Sequence, residues 1–338
     1  MPVRTRSFLP GVADLNPFER ILLHQGVVVL DGGLATALEG RGHVLDTALW
    51  SARLLSEEPD AIRRVHVDYL NAGADCITTV SYQASFEGFA AAGMTEAEAE
   101  HLMRRSSELA LEARDAFRVG TRNAADRLEP LVAASVGPYG AYLADGSEYE
   151  GRYGVDVSVL DAFHRRRFGL LAASGVDVMA CETIPSLEEA EVLLGILDDH
   201  AGVWAWMSFS CENGGQLRDG SSFEKAVQTC AEHDRVAAVG ANCSQPGHMA
   251  ELMGRARAAT DLPLIAYPNS GETYDAGTKS WLESPPTMPW LEGVQGALEA
   301  GARIVGGCCR IGPESISELR SEIEGGDFSA GAADAPGA

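Results

Sequence analysis

Short apolar runs alternate with longer stretches of helical period along almost the whole chain. The runs are Val27–Leu30, Cys76–Val80, Leu131–Val136, Val176–Ala180, Val203–Phe209, Val236–Gly240, Leu262–Tyr267 and Arg303–Val305, all of strand length. Between them apolar residues return at helical spacing, as Leu102, Leu109, Ala113, Ala116 and Phe117 do within Glu96–Val119. Helix starts carry their own chemistry. Thr95 with Glu98, Ser186 with Glu189, and Ser221 with Glu224 each place two side chains where they can satisfy orphan backbone N–H groups. Pro313 after Gly312 suits the first position of a last helix, where its missing N–H costs nothing.

Eight strand-then-helix units predict a (β/α)8 TIM barrel, an α/β fold in a single domain. A doubly wound sheet is the alternative. Its usual strand count is lower, and its glycine fingerprint is missing after the first strand, where Asp31-Gly32-Gly33-Leu34-Ala35-Thr36 stands instead. No linker rich in Pro, Gly or Ser interrupts the rhythm. The expected organisation is an N-terminal extension over 1–15, a barrel over 16–324, and a Gly/Ala/Asp-rich disordered tail over 325–338.

In such a barrel the chemistry sits at the C-terminal ends of the strands. The residues at those ends are Asp31, Thr79 with Ser81 and Tyr82, Gly137-Pro138-Tyr139, Glu182, Asn242-Cys243, Asn269, and Cys308-Cys309. Two post-strand segments, Gly137–Asp156 and Pro268–Pro286, exceed the usual βα connection and read as lids or binding loops.

Charge narrows the partners. With 49 acidic against 26 basic side chains the chain carries a formal −23, which argues against nucleic acid or an anionic membrane surface. No apolar stretch reaches spanning length and no signal-peptide pattern opens the chain, so the cytoplasm is expected and the thiols should be reduced. Small molecules are the remaining partners; oligomeric state is not legible.

The cysteines are the sharpest feature. Cys243 follows the sixth run, and Cys308 and Cys309 follow the eighth after two glycines, so three thiols fall on one rim. Three thiolates with an open fourth position make a catalytic zinc site. Buried cysteine is also a common small hydrophobe, and that reading stays open for the triad. Cys76, Cys181, Cys211 and Cys230 are expected in the core, with Cys181 and Glu182 on opposite faces of one strand. No histidine lies at a strand end, and Arg165-Arg166-Arg167 reads as a solvated or salt-bridging helix face.

Ile304-Val305-Gly306-Gly307-Cys308-Cys309-Arg310, with Gly240-Ala241-Asn242-Cys243 before it, resembles the zinc signature of the homocysteine S-methyltransferase family. Leu30–Thr36, Leu38–Gly42, Ser81–Ala84, Cys181–Thr183 and Tyr267–Glu272 are similar to further family segments. The run Val136–Tyr149 resembles the branch that uses S-methylmethionine or S-adenosylmethionine. The resemblance implies zinc on Cys243, Cys308 and Cys309, and methyl transfer from a sulfonium to homocysteine, giving methionine.

The rim residues divide accordingly. Asp31 and Glu182 are placed to pair with the substrate ammonium, and backbone amides near Gly32 and Gly33 to take its carboxylate; Thr79 and Tyr82 complete the substrate wall. Asp31 is alternatively a turn residue and Glu182 a helix-entry charge. Asn242 is expected to shape the Cys243 turn more than to touch substrate. Tyr139, Tyr142, Asp145, Glu148 and Tyr149 would offer aromatic and acidic neighbours to a cationic donor, or else form an exposed acidic loop. Two other functions remain: a zinc barrel methylating another small thiol or selenol, and a non-catalytic redox or zinc-binding barrel.

Overall fold

Side chains on successive strand residues point to opposite faces, and both faces of every run here are apolar. Such strands need cover on both sides, which a barrel ringed by helices provides. The computed structural model, which describes residues 15–45, 50–120, 127–143, 145–275, 280–282 and 287–326, has this architecture. Its strands are β1 Val28–Val29, β2 Cys76–Thr78, β3 Leu131–Val136, β4 Val178–Ile184, β5 Ala205–Phe209, β6 Val236–Asn242, β7 Leu264–Tyr267 and β8 Ala302–Val305. They form one parallel sheet in the order β1-β8-β7-β6-β5-β4-β3-β2.

The two outer strands meet. A parallel bridge joins Leu30 to Cys76, and Asp75 N–H donates to the Val29 carbonyl at 2.6 Å. Beneath this seam the Asp75 carboxylate accepts from Val29 N–H at 2.9 Å and pairs with Arg127 and Arg320. Val27 and Val29 pack outward under the helices, while Val28, Leu30, Trp206, Ile265 and Ile304 fill the barrel. Phe18 and Ile21 plug the N-terminal end, with the Phe18 ring centroid 5.9 Å from that of Trp206.

Several boundaries differ from expectation. β4 continues through Cys181 and Glu182 to Ile184, and β6 through Asn242, so these polar residues lie within strands rather than after them. Their alternation nevertheless holds: Cys181 packs outward in the core while Glu182 lines the interior cavity. The capping box at Thr95 and Glu98 forms in both directions, at 2.7 and 3.3 Å. Ser222, not Ser221, caps the helix Phe223–Ala231, because Ser221 is held by Asp219. Arg165 and Arg166 pair with exposed carboxylates as expected, but Arg167 is fully buried and donates to the Tyr82 carbonyl. Three consecutive helix residues are spread around the axis, so one of them faces the core.

The expected extension and tail, 1–15 and 325–338, lie outside the described residues except for Leu15, Gly325 and Gly326, and Gly325 ends the last helix. No helix among the described residues is long and apolar enough to cross a membrane.

Candidate active site and metal centre

Cys243 follows β6 directly, with its backbone turned to φ 47° and its N–H donating to the Tyr267 carbonyl at 3.3 Å. Cys308 and Cys309 leave β8 through Gly306 and Gly307. A Cβ on Gly307 would lie 2.2 Å from Ile311 Cγ2, so only glycine lets the chain turn this close. The three Sγ atoms lie within 4.8 Å of one another, Cys243 and Cys309 at 3.9 Å. Sulfurs roughly 3.8 Å apart are what tetrahedral bonds of about 2.3 Å to zinc require, so the donor set fits that ion. Thiol hydrogen bonds from Cys308 and Cys309 hold Cys243 well below the usual thiol range. Tyr149 Oη and Asn242 Nδ2 approach the sulfurs of Cys243 and Cys308, each at 3.8 Å. The other four cysteines are buried, and burial raises the thiols of Cys181 and Cys211 to about 12, out of reach of thiolate chemistry.

The triad borders a cavity of about 300 Å³ at the C-terminal mouth of the barrel. Four carboxyl groups line it, those of Asp31, Glu39, Glu148 and Glu182, and three of them are strongly shifted. Asp31 accepts from the Thr78 N–H at 2.7 Å and its hydroxyl at 3.1 Å, and burial still pushes it up to about 8. Glu182 accepts from the Ser135 hydroxyl and from Tyr267 at 3.0 Å, and burial raises it to about 7. Glu148 is raised to about 7 by the same cause, and its Oε2 is buried without a partner among the described residues. Among the described residues no lysine, arginine or histidine lines the cavity. Its charged lining is acidic throughout.

Of the expected substrate residues, Asp31, Gly32, Thr79, Tyr82 and Glu182 line the cavity. Gly33 lines it too, but its N–H is spent on the Ile311 carbonyl at 2.9 Å and is not free for a carboxylate. The Thr79 hydroxyl is engaged by Ser81 at 2.6 Å and by Ser135 N–H at 3.1 Å. Asn242 is buried and braces Thr183, accepting from its N–H and donating to its hydroxyl, both at 2.8 Å.

The long third loop divides. Glu148 and Tyr149 line the cavity. Tyr139 and Tyr142 instead pack on Phe163, with centroids at 5.1 and 5.6 Å, and Asp145 accepts from Ser147 N–H at 3.0 Å within its own turn. The loop after β7 carries the antiparallel hairpin Thr273–Asp275 with Ser280–Leu282.

The residues that hold Glu182 were missed by the sequence reading. Ser135 sits on β3, Tyr267 ends β7, and Ser208 on β5 bonds both Asn242 and Tyr267. Their signal was present as hydroxyls inside otherwise apolar strands, where a buried polar group demands a partner.

The sequence model of the homocysteine S-methyltransferase family matches residues 28–323. Homocysteine S-methyltransferase YbgG of Bacillus subtilis is 46% identical over 90% of this chain and 97% of its own length. Selenocysteine Se-methyltransferase of Brassica oleracea is 41% identical, over 88% of this chain and 89% of its own. Among solved structures, the metallated form of the homocysteine methyltransferase MmuM from Escherichia coli superposes with a TM-score of 0.82 at 41% identity, covering 91% of this chain and all of that one. The matched span takes in every barrel strand and all three cysteines, so the chain belongs to the homocysteine S-methyltransferase family.

Proposed function

We propose that this protein moves a methyl group from a small sulfonium donor to the thiol of homocysteine, giving methionine, with zinc held by Cys243, Cys308 and Cys309. One observation carries the reading: three cysteine sulfurs within 4.8 Å of one another open onto a cavity lined by four carboxyl groups. A zinc ion there would supply the Lewis acidity that brings a substrate thiol, ordinarily near pKa 8.5, to its thiolate form at neutral pH.

The chain's own residues bind, orient and balance charge. Glu182, fixed by Ser135 and Tyr267, and Asp31, fixed by Thr78, face the substrate ammonium. Gly32 N–H remains to meet the substrate carboxylate. Glu148 and Tyr149 wall the side of the cavity next to Cys243, where a positive sulfonium is favoured by carboxylate and aromatic ring. In the transfer a carbon–sulfur bond forms at homocysteine as the donor's carbon–sulfonium bond breaks. The leaving thioether is neutral, so no proton donor is required. The thiol proton leaves to water or to a neighbouring carboxylate.

A cavity of about 300 Å³ lies at the small end of ligand pockets. That size favours S-methylmethionine over S-adenosylmethionine, because it has no nucleoside to house. Similarity to a selenocysteine Se-methyltransferase keeps a small selenol as a second acceptor. The deciding experiment measures zinc per chain and methionine formed from homocysteine with each donor separately, for the wild type and Cys308→Ser. The expected result is about one zinc and turnover in the wild type, with both lost in a folded variant. A fully active Cys308→Ser protein would overturn the assignment.

A further inference from the structure

Glu189 is fully buried, yet it lies outside the cavity and the reaction described above does not use it. It occupies the third position of the helix Leu187–Asp198, where a capping-box glutamate would reach back to its own helix start. Its carboxylate turns inward instead. Oε1 accepts from Tyr139 N–H at 2.6 Å and from the His164 ring at 2.8 Å, and Oε2 accepts from the Tyr153 hydroxyl at 2.9 Å.

Tyr139 and Tyr153 bracket the third loop, and between them lie Glu148 and Tyr149, the two residues that line the cavity. Their rings also meet, with centroids at 5.4 Å. Within the bracket the described residues are closely packed. The short helix Tyr139–Leu143 packs so closely on the turn Ser147–Tyr149 that a Cβ on Gly140 would fall 2.4 Å from the Glu148 nitrogen. Moving either end of the loop therefore moves Glu148 and Tyr149, and the Tyr149 hydroxyl lies 3.8 Å from Cys243 Sγ.

A carboxylate is a costly side chain to bury, and three aligned donors from two separate segments are what make it tolerable. An apolar side chain could fill the same space but could not fix the loop at both ends. Beside it, Arg167 is buried as well and donates to the carbonyl of Tyr82, another cavity residue, so the node reaches two rim loops.

The geometry points to Glu189 as a positioning residue: a hydrogen-bonded clamp on both ends of the third loop that sets Glu148 and Tyr149 against the metal centre. The inference rests on the proposed function only for its choice of substrate readout. Glu189→Leu removes all the acceptors, Glu189→Gln keeps the shape and can still bond at each end, and Tyr153→Phe cuts one end alone. Steady-state kinetics with each substrate varied, zinc per chain, and thermal midpoint are measured for all three. Losing one net hydrogen bond, worth about 1 kcal/mol, corresponds to about fivefold in KM.

Tyr153→Phe is expected to raise the KM for the sulfonium donor about fivefold, with kcat within about twofold, zinc unchanged and the thermal midpoint nearly so. Glu189→Leu should exceed this, and Glu189→Gln should restore most of it. Unchanged KM for both substrates in folded Tyr153→Phe would overturn the clamp, even if Glu189→Leu fails to fold. So would a Glu189→Gln protein as impaired as Glu189→Leu. A rise confined to the KM for homocysteine would uphold the clamp and instead refute the assignment of this loop to the donor.

Discussion

Replacing Glu182 by glutamine tests substrate recognition without disturbing its setting. The amide is the same size, and its oxygen can still accept from Ser135 or Tyr267. What disappears is the negative charge that, in the proposed function, faces the substrate ammonium. A hydrogen bond between charged groups is worth about 1.5–3 kcal/mol, which corresponds to about 10- to 150-fold in binding. The KM for homocysteine should rise by that range while the donor's stays within about twofold. The pH dependence supplies a second readout. Burial raises the Glu182 carboxyl to about 7, so its ionised share grows as pH rises through that value. Homocysteine binding in the wild type should therefore tighten severalfold over that rise, and the variant should lose that component. Methionine formation with homocysteine varied at saturating donor, at half-unit pH steps, measures both. A Glu182→Gln protein with native homocysteine KM and the native pH profile would refute the ammonium role.

Three further outcomes follow from the geometry. Gly307→Ala places a methyl 2.2 Å from Ile311 Cγ2, an overpacking that should cost about 1–3 kcal/mol by denaturant unfolding and lower zinc occupancy; Gly254→Ala, with open space around it, should gain up to about 1 kcal/mol of helix stability, and equal effects would refute the close-approach argument. Asp31 is raised to about 8, and Glu148 and Glu182 to about 7. Each keeps its proton in the folded chain at a pH where the unfolded chain has lost it, so the metal-free, ligand-free protein should lose stability as pH rises from about 4.5 toward 8; Glu148→Gln with Glu182→Gln should flatten that slope, and an unchanged slope of thermal midpoint against pH would count against it. With a formal charge of −23, the chain should draw in a cationic donor faster at low salt. Going from about 0.01 to about 0.15 M shortens the screening length from about 30 to about 8 Å, so donor kcat/KM should fall severalfold. A salt-independent value would remove any role for the acidic surface.

The barrel was legible because its strands are apolar on both faces and its helices keep a clean period. The cysteine triad was legible because position relative to strand ends is a one-dimensional quantity. What the chain hides is lateral. Ser135, Ser208 and Tyr267 lie far apart in sequence and meet only across neighbouring strands, so nothing local ties them to Glu182 or Asn242. The ends of β4 and β6 were misplaced because the apolar runs stop at Ala180 and Gly240, while pairing with adjacent strands goes on to Ile184, across a register shift, and to Asn242. Arg167 was hidden for a related reason. Buried His164 and Arg167 break the apolar stripe of their helix, so the buried face reads as polar.

Strain shows how the site is held. Among the described residues, non-glycine positive φ occurs at Thr183, Cys243 and Arg310, all at the metal rim or beside it. Such backbone costs about 1–2 kcal/mol per residue and persists only where surroundings impose it. Here the surroundings are identifiable. Asn242 grips Thr183 at both its N–H and its hydroxyl, and the Tyr267 carbonyl takes the Cys243 N–H. Thr36 accepts from Arg310 N–H at 2.9 Å, while Glu272 pairs with its guanidinium. The turns that bring the three sulfurs together are therefore held by hydrogen bonds from neighbouring strands and from the first barrel helix, and by one ion pair.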